Sequence, residues 1–369
     1  MARTSRGSCC VEPLGYGPVK PALHSANRAV VAWLFFCCAM IFAMVVIGGV
    51  TRLTESGLSI TEWNPAVGAI PPLSEEAWQD AFAKYQQIPQ YQELNTGMTL
   101  AEFKTIFWWE FVHRLWGRLI GVVYAVPLLW FVLRGQVQSR LAWRLGGIFV
   151  LGGLQGALGW YMVKSGLVDR VSVSQYRLTA HLGLALLIYA ATLWTVLDLL
   201  RPSPARTPLS RAALGFSALV FLTILAGGFV AGLDAGMSYN TFPLMDGRFV
   251  PAGYLDETPW WLNFFENVAA VQFNHRILAM ATLACAIALA IAGRNAAPRT
   301  RSLALATGAM AALQAALGIS TLLLFVPIPL AAAHQAGAVA LLTLALATAH
   351  AAREPGFKPL RAAASAPTA

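Results

Sequence analysis

The sequence predicts an all-α membrane protein whose eight transmembrane helices form two pseudo-symmetric four-helix bundles. Three observations predict this class. The 369 residues are 57% apolar and only 12% charged, a balance that a water-soluble domain of this length rarely shows. Apolar runs of about 20 residues, long enough to cross a hydrocarbon core, occur eight times. Blocks of residues from the first four runs return in the last four.

The runs cover residues 29–51, 112–133, 145–163, 179–199, 212–232, 270–292, 302–325 and 330–350. Charge in the connections orients them, because Lys and Arg stay on the cytoplasmic side of short loops. Arg3, Arg6, Lys20 and Arg28 precede the first run, and Arg134, Arg140 and Arg144 separate the second from the third. The series continues in Arg201, Arg206 and Arg211, in Arg294, Arg299 and Arg301, and in Arg353, Lys358 and Arg361 after the last run. The alternate connections are acidic: residues 52–110 carry eight carboxylates against Arg52, Lys84 and Lys104, and residues 233–269 carry five against Arg248. Both termini are therefore expected in the cytoplasm, with the long connections outside.

The formal charge of +9 follows from this topology. Its expected partner is membrane lipid, and nucleic acid is not expected. The first run lacks a small-residue cleavage motif, so it is expected to be retained as a span. The brief N-terminal tail favours a bacterial inner membrane over a mitochondrial one, whose precursors carry longer acid-poor presequences. Cys9, Cys10, Cys37, Cys38 and Cys285 fall in the tail or within spans. No disulfide facing an oxidising compartment is expected, and these cysteines read as small apolar residues. The chain divides into a tail (1–28), a first four-helix half (29–200), a second half (201–351) and a disordered Ala/Pro tail (352–369).

The repeat is specific. Gly48-Gly49, Glu55, Gly57 and Ser59 return at one offset as Gly227-Gly228, Asp234, Gly236 and Ser238. Leu154-Gln155-x-Ala157-Leu158-Gly159 returns as Leu313-Gln314-x-Ala316-Leu317-Gly318. His113-Arg114 matches His275-Arg276, and Ala180-His181 matches Ala333-His334. An even number of spans per half makes the repeat parallel, related by an axis along the membrane normal.

His113, His181, His275 and His334 open the second, fourth, sixth and eighth runs and are expected in first turns at one depth. A membrane histidine is costly to keep, and four in a duplicated pattern point to paired imidazoles ligating heme iron inside each bundle. Helix-start histidines bonded to carbonyls are the structural alternative. Zinc fits poorly, since it takes clustered tetrahedral ligands. A carboxylate-bridged di-iron site wants two Glu-x-x-His units, and the chain has only Glu110-x-x-His113. His24 and His350 have no repeat partners and are expected not to ligate.

Glu110 lies on the helix face of His113, whereas the matching residue before His275 is Gln272. This asymmetry assigns chemistry to the first half, with Glu110 as its titratable group, and a permanent electron-transfer heme to the second. A helix-start acid favoured by the dipole is the alternative. Arg114, Arg118 and Arg276 suit either pairing with heme propionates or snorkelling at the interface. Trp108, Trp109, Trp116, Trp260 and Trp261 mark the outer interface. The connection 52–110, with Glu62-Trp63-Asn64-Pro65 and Pro71-Pro72, is long enough to cap a cleft, and 233–269 reads as a shorter lid.

These strings resemble one family across nearly the whole chain. They run from Gly48-Gly49-x-Thr51-Arg52-Leu53-Thr54-x-Ser56-Gly57-Leu58-Ser59 and Glu62-Trp63 through Glu110-Phe111-x-His113-Arg114-x-Trp116-Gly117-Arg118 and His181 to Gln272-Phe273-x-His275-Arg276 and His334-Gln335. The family is that of the heme A synthases, in the mitochondrial and alphaproteobacterial form that lacks an outer-loop cysteine pair. The resemblance implies oxidation of the C8 methyl of heme O to the formyl group of heme A, through an alcohol intermediate, for assembly of cytochrome c oxidase. It implies heme b between His275 and His334, with Arg276 nearby. It implies heme O as substrate beside His113, His181, Arg114 and Arg118, with Glu110 close by. The implied partners are the heme O synthase (a farnesyltransferase), cytochrome c oxidase assembly factors and an electron donor, and homo-oligomerisation stays open. The competing function is a di-heme b-type carrier exchanging electrons with quinol. A transporter of parallel repeats would need polar residues at mid-membrane depth, whereas here the ionisable groups cluster at the outer ends.

Overall fold

The computed structural model describes residues 25–62, 67–169, 171–202 and 206–353. Cys9, Cys10, His24, Trp63, Asn64, Pro65, Arg3, Arg6, Lys20, Lys358, Arg361 and the Ala/Pro tail lie outside the described residues. Among the described residues, eight helices are long and apolar enough to cross a membrane: α1 (Ser25–Leu53), α4 (Leu100–Leu133), α5 (Ser139–Asp169), α6 (Gln175–Leu200), α7 (Pro208–Gly232), α8 (Val268–Gly293), α9 (Pro298–Leu323) and α10 (Ile328–Ala351). Two shorter helices, α2 (Glu75–Tyr85) and α3 (Pro89–Glu93), sit in the first long connection. The protein is thus all-α and integral to a membrane.

Local chemistry sets the helix starts. Thr99 caps α4 through a capping box with Glu102, which satisfies two otherwise orphaned N–H groups. Thr207 caps α7 ahead of Pro208, and the Asn267 side chain accepts from the Ala270 N–H at 3.0 Å to start α8. Proline opens α9 and α10, where its missing N–H costs nothing.

The helices pack as two rings. α1, α4, α5 and α6 each touch their ring neighbours, as do α7, α8, α9 and α10, and the halves meet where α1 lies on α10 and α6 lies on α7 and α10. Leu34, Leu186, Val196, Val220 and Ala345, all buried, fill the seam. Small residues bring the backbones together there: Gly49 leaves the space that the Gln335 amide occupies, and Gln335 donates to the Val45 carbonyl at 2.8 Å. At the end of the bundle away from the long connections, Asp198 of α6 ties the halves. It accepts from Arg144 at 2.9 Å and Arg353 at 3.1 Å, and its Oδ1 lies 3.2 Å from Nε2 of the buried His350. Cys37 and Cys38 are buried in α1, whereas Cys285 is exposed on α8.

Two expectations are corrected. The second span begins at Leu100, not 112, so the connection 52–110 ends in a helix and contains two more. The histidines do not occupy first turns. His181, His275 and His334 lie about two turns inside their helices and His113 lies thirteen residues past Leu100. α4, α8 and α10 continue beyond their apolar stretches because a cap or proline, not the edge of hydrophobicity, fixes their starts.

Candidate functional site

Every one of the four histidines is backed by a glycine on the helix before it in the ring. A methyl group on Gly48 of α1 would lie 3.5 Å from Nε2 of His113. On Gly159 of α5 it would lie 3.0 Å from Cε1 of His181, on Gly227 of α7 3.1 Å from Cε1 of His275, and on Gly318 of α9 2.7 Å from Cε1 of His334. His113 and His181 are within electrostatic reach of each other, as are His275 and His334. Each of these residues is only partly buried, so the rings line space instead of filling core. Nδ1 of His181 and of His275 is shielded from solvent without a hydrogen-bond partner, an unsatisfied state that is costly. Paired imidazoles in glycine-cut recesses, with Nδ1 of His181 and of His275 unsatisfied by the protein, fit a planar metal-bearing group held between two helices. Among the described residues, no three His, Cys, Asp or Glu side chains are gathered to hold a bare metal ion.

The repeated Leu-Gln-x-Ala-Leu-Gly string supplies two parts of this arrangement. Its glutamine holds the histidine backbone of the neighbouring helix: Gln155 Nε2 donates to the His181 carbonyl at 3.0 Å, and Gln314 Nε2 to the His334 carbonyl at 2.8 Å. Gln314 Nε2 also lies 3.1 Å from His334 Nδ1. Its glycine, one turn on, makes the recess for the ring. In the sequence the string marks the repeat, and the fold ties it to the histidines.

Glu110 and Arg114 form the base of a clamp over the first half. Oε1 of Glu110 accepts from Arg114 Nε at 2.9 Å and Nη2 at 2.5 Å, while Oε2 accepts from the Ser59 hydroxyl at 2.8 Å and the Ile60 N–H at 2.7 Å. Arg114 then reaches the carbonyls of Ile60 at 2.7 Å and Glu62 at 3.1 Å. The second half repeats the clamp with opposite polarity at its base. Arg276 donates to the carbonyls of Tyr239 at 2.6 Å and Thr241 at 2.8 Å and to Gln272 Oε1 at 3.1 Å, but Gln272 Nε2 donates to Ala235 and Ser238 carbonyls at 2.7 and 2.5 Å. Glu110 is 2% exposed and Gln272 likewise 2%, so each residue's partners matter: an unmatched donor or acceptor there would cost about 1–3 kcal/mol.

Arg114 and Arg276 therefore hold loop backbone, and Arg118 lies one turn along α4, partly buried. Trp108, Trp109, Trp260 and Trp261 are exposed at this end. Trp116 differs from them: it turns inward and donates to the Met40 carbonyl of α1 at 2.9 Å. A cavity of about 320 Å³, lined among others by Thr61, Arg114, Trp160, Val163 and Lys164, opens beside the first clamp.

Fold and site together define an integral membrane protein made of two four-helix units, each with a pair of recessed histidines. Residues 31–346 match the model of the COX15-CtaA family, described as cytochrome oxidase assembly protein, and the chain belongs to that family. It is 55% identical over 331 residues to the heme A synthase of Nitrosospira multiformis, covering 87% of this chain and 93% of that protein. It is 53% identical over 345 residues to that of Rhodospirillum centenum, covering 92% of each. It is 51% identical over 335 residues to that of Caulobacter vibrioides, covering 89% of this chain and 97% of the relative.

Proposed function

We propose that this chain is a heme A synthase, an oxidoreductase that converts the C8 methyl of heme O to the formyl group of heme A for cytochrome c oxidase assembly. The observation that carries the proposal is the duplicated pair of recessed histidines in a chain more than half identical to heme A synthases over most of its length. His275 and His334 hold a resident heme b, and His113 and His181 hold the substrate heme. Bound heme supplies the redox chemistry, while the protein supplies ligands, electrostatics and access.

Glu110 is the residue assigned to the chemistry of the first half. Arg114 pairs with its Oε1, and Oε2 accepts from the Ser59 hydroxyl and the Ile60 N–H, so the carboxylate is fixed one turn from His113. Arg114 and Arg276 position the loops over the two sites, and Arg118 stands further along the same helix. The long connections face outward and both termini face the cytoplasm of a bacterial inner membrane. The heme O synthase, oxidase assembly factors and an electron donor are the partners.

Chromatography of hemes extracted from the purified chain, co-expressed with a heme O synthase, tests the function. Heme A in the wild type, absent from His113→Ala and His275→Ala, is the expected result. Heme B alone, with heme O demonstrably present in the cells, would instead identify a di-heme electron carrier.

A further inference from the structure

The two halves differ at one place that the clamp brings into register. Arg114 and Arg276 bind the carbonyls of Ile60 and Glu62 in one half and Tyr239 and Thr241 in the other, so Thr61 and Asn240 occupy the same position between them. Asn240 is a bolt: its Nδ2 donates to the Gly236 carbonyl at 2.9 Å and across to the Leu322 carbonyl of α9 at 2.8 Å. The offset of the Leu-Gln-x-Ala-Leu-Gly strings puts Val163 of α5 where α9 has Leu322, and Lys164 where α9 has Leu323. In the first half Thr61 and Val163 are not joined but line the cavity of about 320 Å³, together with Arg114, Trp160 and Lys164. The Lys164 ammonium lies over the Trp160 ring, 5.0 Å from its centroid. Glu62 also borders the cavity, but its carboxylate pairs with Lys84 at 2.8 Å.

A site that turns over must admit substrate and release product, whereas a site for a resident cofactor must do neither. We infer that the cavity between the segment after α1 and the loop end of α5 is the exchange portal of the first half, where Lys164 receives the carboxylate edge of a porphyrin substrate, and that Asn240 bolts the matching place in the second half. This rests on the proposal that the first half handles a porphyrin substrate. The cavity volume suits one edge of a macrocycle. The cation is suitably placed: Lys164 carries three donors on a flexible stem against the Trp160 face, while Arg114, paired with Glu110, fixes the wall of the cavity. In the second half the corresponding residue is Leu323, which offers a carboxylate nothing.

The test uses the full chain carrying its resident heme, titrated with hemin and with hemin dimethyl ester while the Soret absorbance is followed. Lys164→Leu, which installs the residue of the other half, is expected to weaken hemin binding about tenfold, the size of one lost charge-assisted bond, and to leave the ester unchanged. Asn240→Thr is expected to speed transfer of the second-half heme to apomyoglobin by a similar factor. Equal effects of Lys164→Leu on both probes, no effect on either, or an unchanged transfer rate in Asn240→Thr would overturn the portal. If that happens while the wild type still makes heme A, the synthase proposal stands and only the portal falls. A chain that neither binds hemin in its first half nor makes heme A would sink both.

Discussion

Gly318 and His334 leave no room between them for a methyl group, which would stand 2.7 Å from the imidazole Cε1. Gly318→Ala must therefore push the ring off its axis, and overpacking of this kind costs about 1–3 kcal/mol. The expected outcome is loss of most heme from the second half and a shifted Soret band in the purified variant. Gly48→Ala is the control, since its methyl would meet His113 at an ordinary 3.5 Å and heme content should hold.

Glu110→Gln is not a neutral exchange even though Gln272 fills the equivalent place. In the first half the outer oxygen faces two donors, Ser59 and Ile60, while the Gln272 amide nitrogen faces two carbonyls. An amide at 110 therefore leaves a donor facing donors, at about 1–3 kcal/mol. A lowered thermal midpoint in detergent and loss of heme A formation are expected together. Full turnover in this variant would remove Glu110 from the chemistry.

The connection between α1 and α4 carries its own pH sensitivity. Tyr85 of α2 is fully buried, takes a bond from Asn95 at 2.7 Å and donates to Gln90 at 3.2 Å. Burial pushes its phenol above the ordinary value. The neutral phenol is thus favoured when folded, so its stabilisation is complete below pH about 10 and declines as pH rises from there through the raised value. Limited proteolysis of residues 75–95 should accelerate above that pH in the wild type and stay flat in Tyr85→Phe.

Asp198 is the common acceptor of Arg144, Arg353 and His350 across the two halves. Asp198→Ala leaves the buried His350 without its partner and is expected to cost about 1–3 kcal/mol, discounted for the partial exposure of the carboxylate. Arg144→Ala removes only a half-exposed pair and should cost less than about 1 kcal/mol. Thermal unfolding of the two variants in one detergent checks the ranking.

The eight spans and the duplication were legible because membrane crossing demands long apolar runs and a repeat leaves matching strings. The early start of α4 lies outside what hydropathy reports, because residues 100–111 project past the apolar stretch, although Thr99-x-x-Glu102 carries the capping signal. The sequence sets Glu110 against His113, three residues on, while its partner in the fold is Arg114, four residues on, a spacing that equally favours contact. The glycine behind each histidine lies on another helix, and no single-sequence pattern reports such a pairing. Ser59, Gln155, Gln314 and Lys164 were missed as functional candidates for the same reason.

The length of α4 has a mechanical consequence. Its 34 residues make a rod of about 50 Å, well beyond the roughly 30 Å of a hydrocarbon core, and α2 packs on it. The same helix runs from Leu100 to His113 and on into the bundle, with its one interior proline, Pro127, beyond the histidine. The packed helix α2 and the His113 ring are therefore two points on one lever, and a push against α2 is felt as a change of angle at the imidazole.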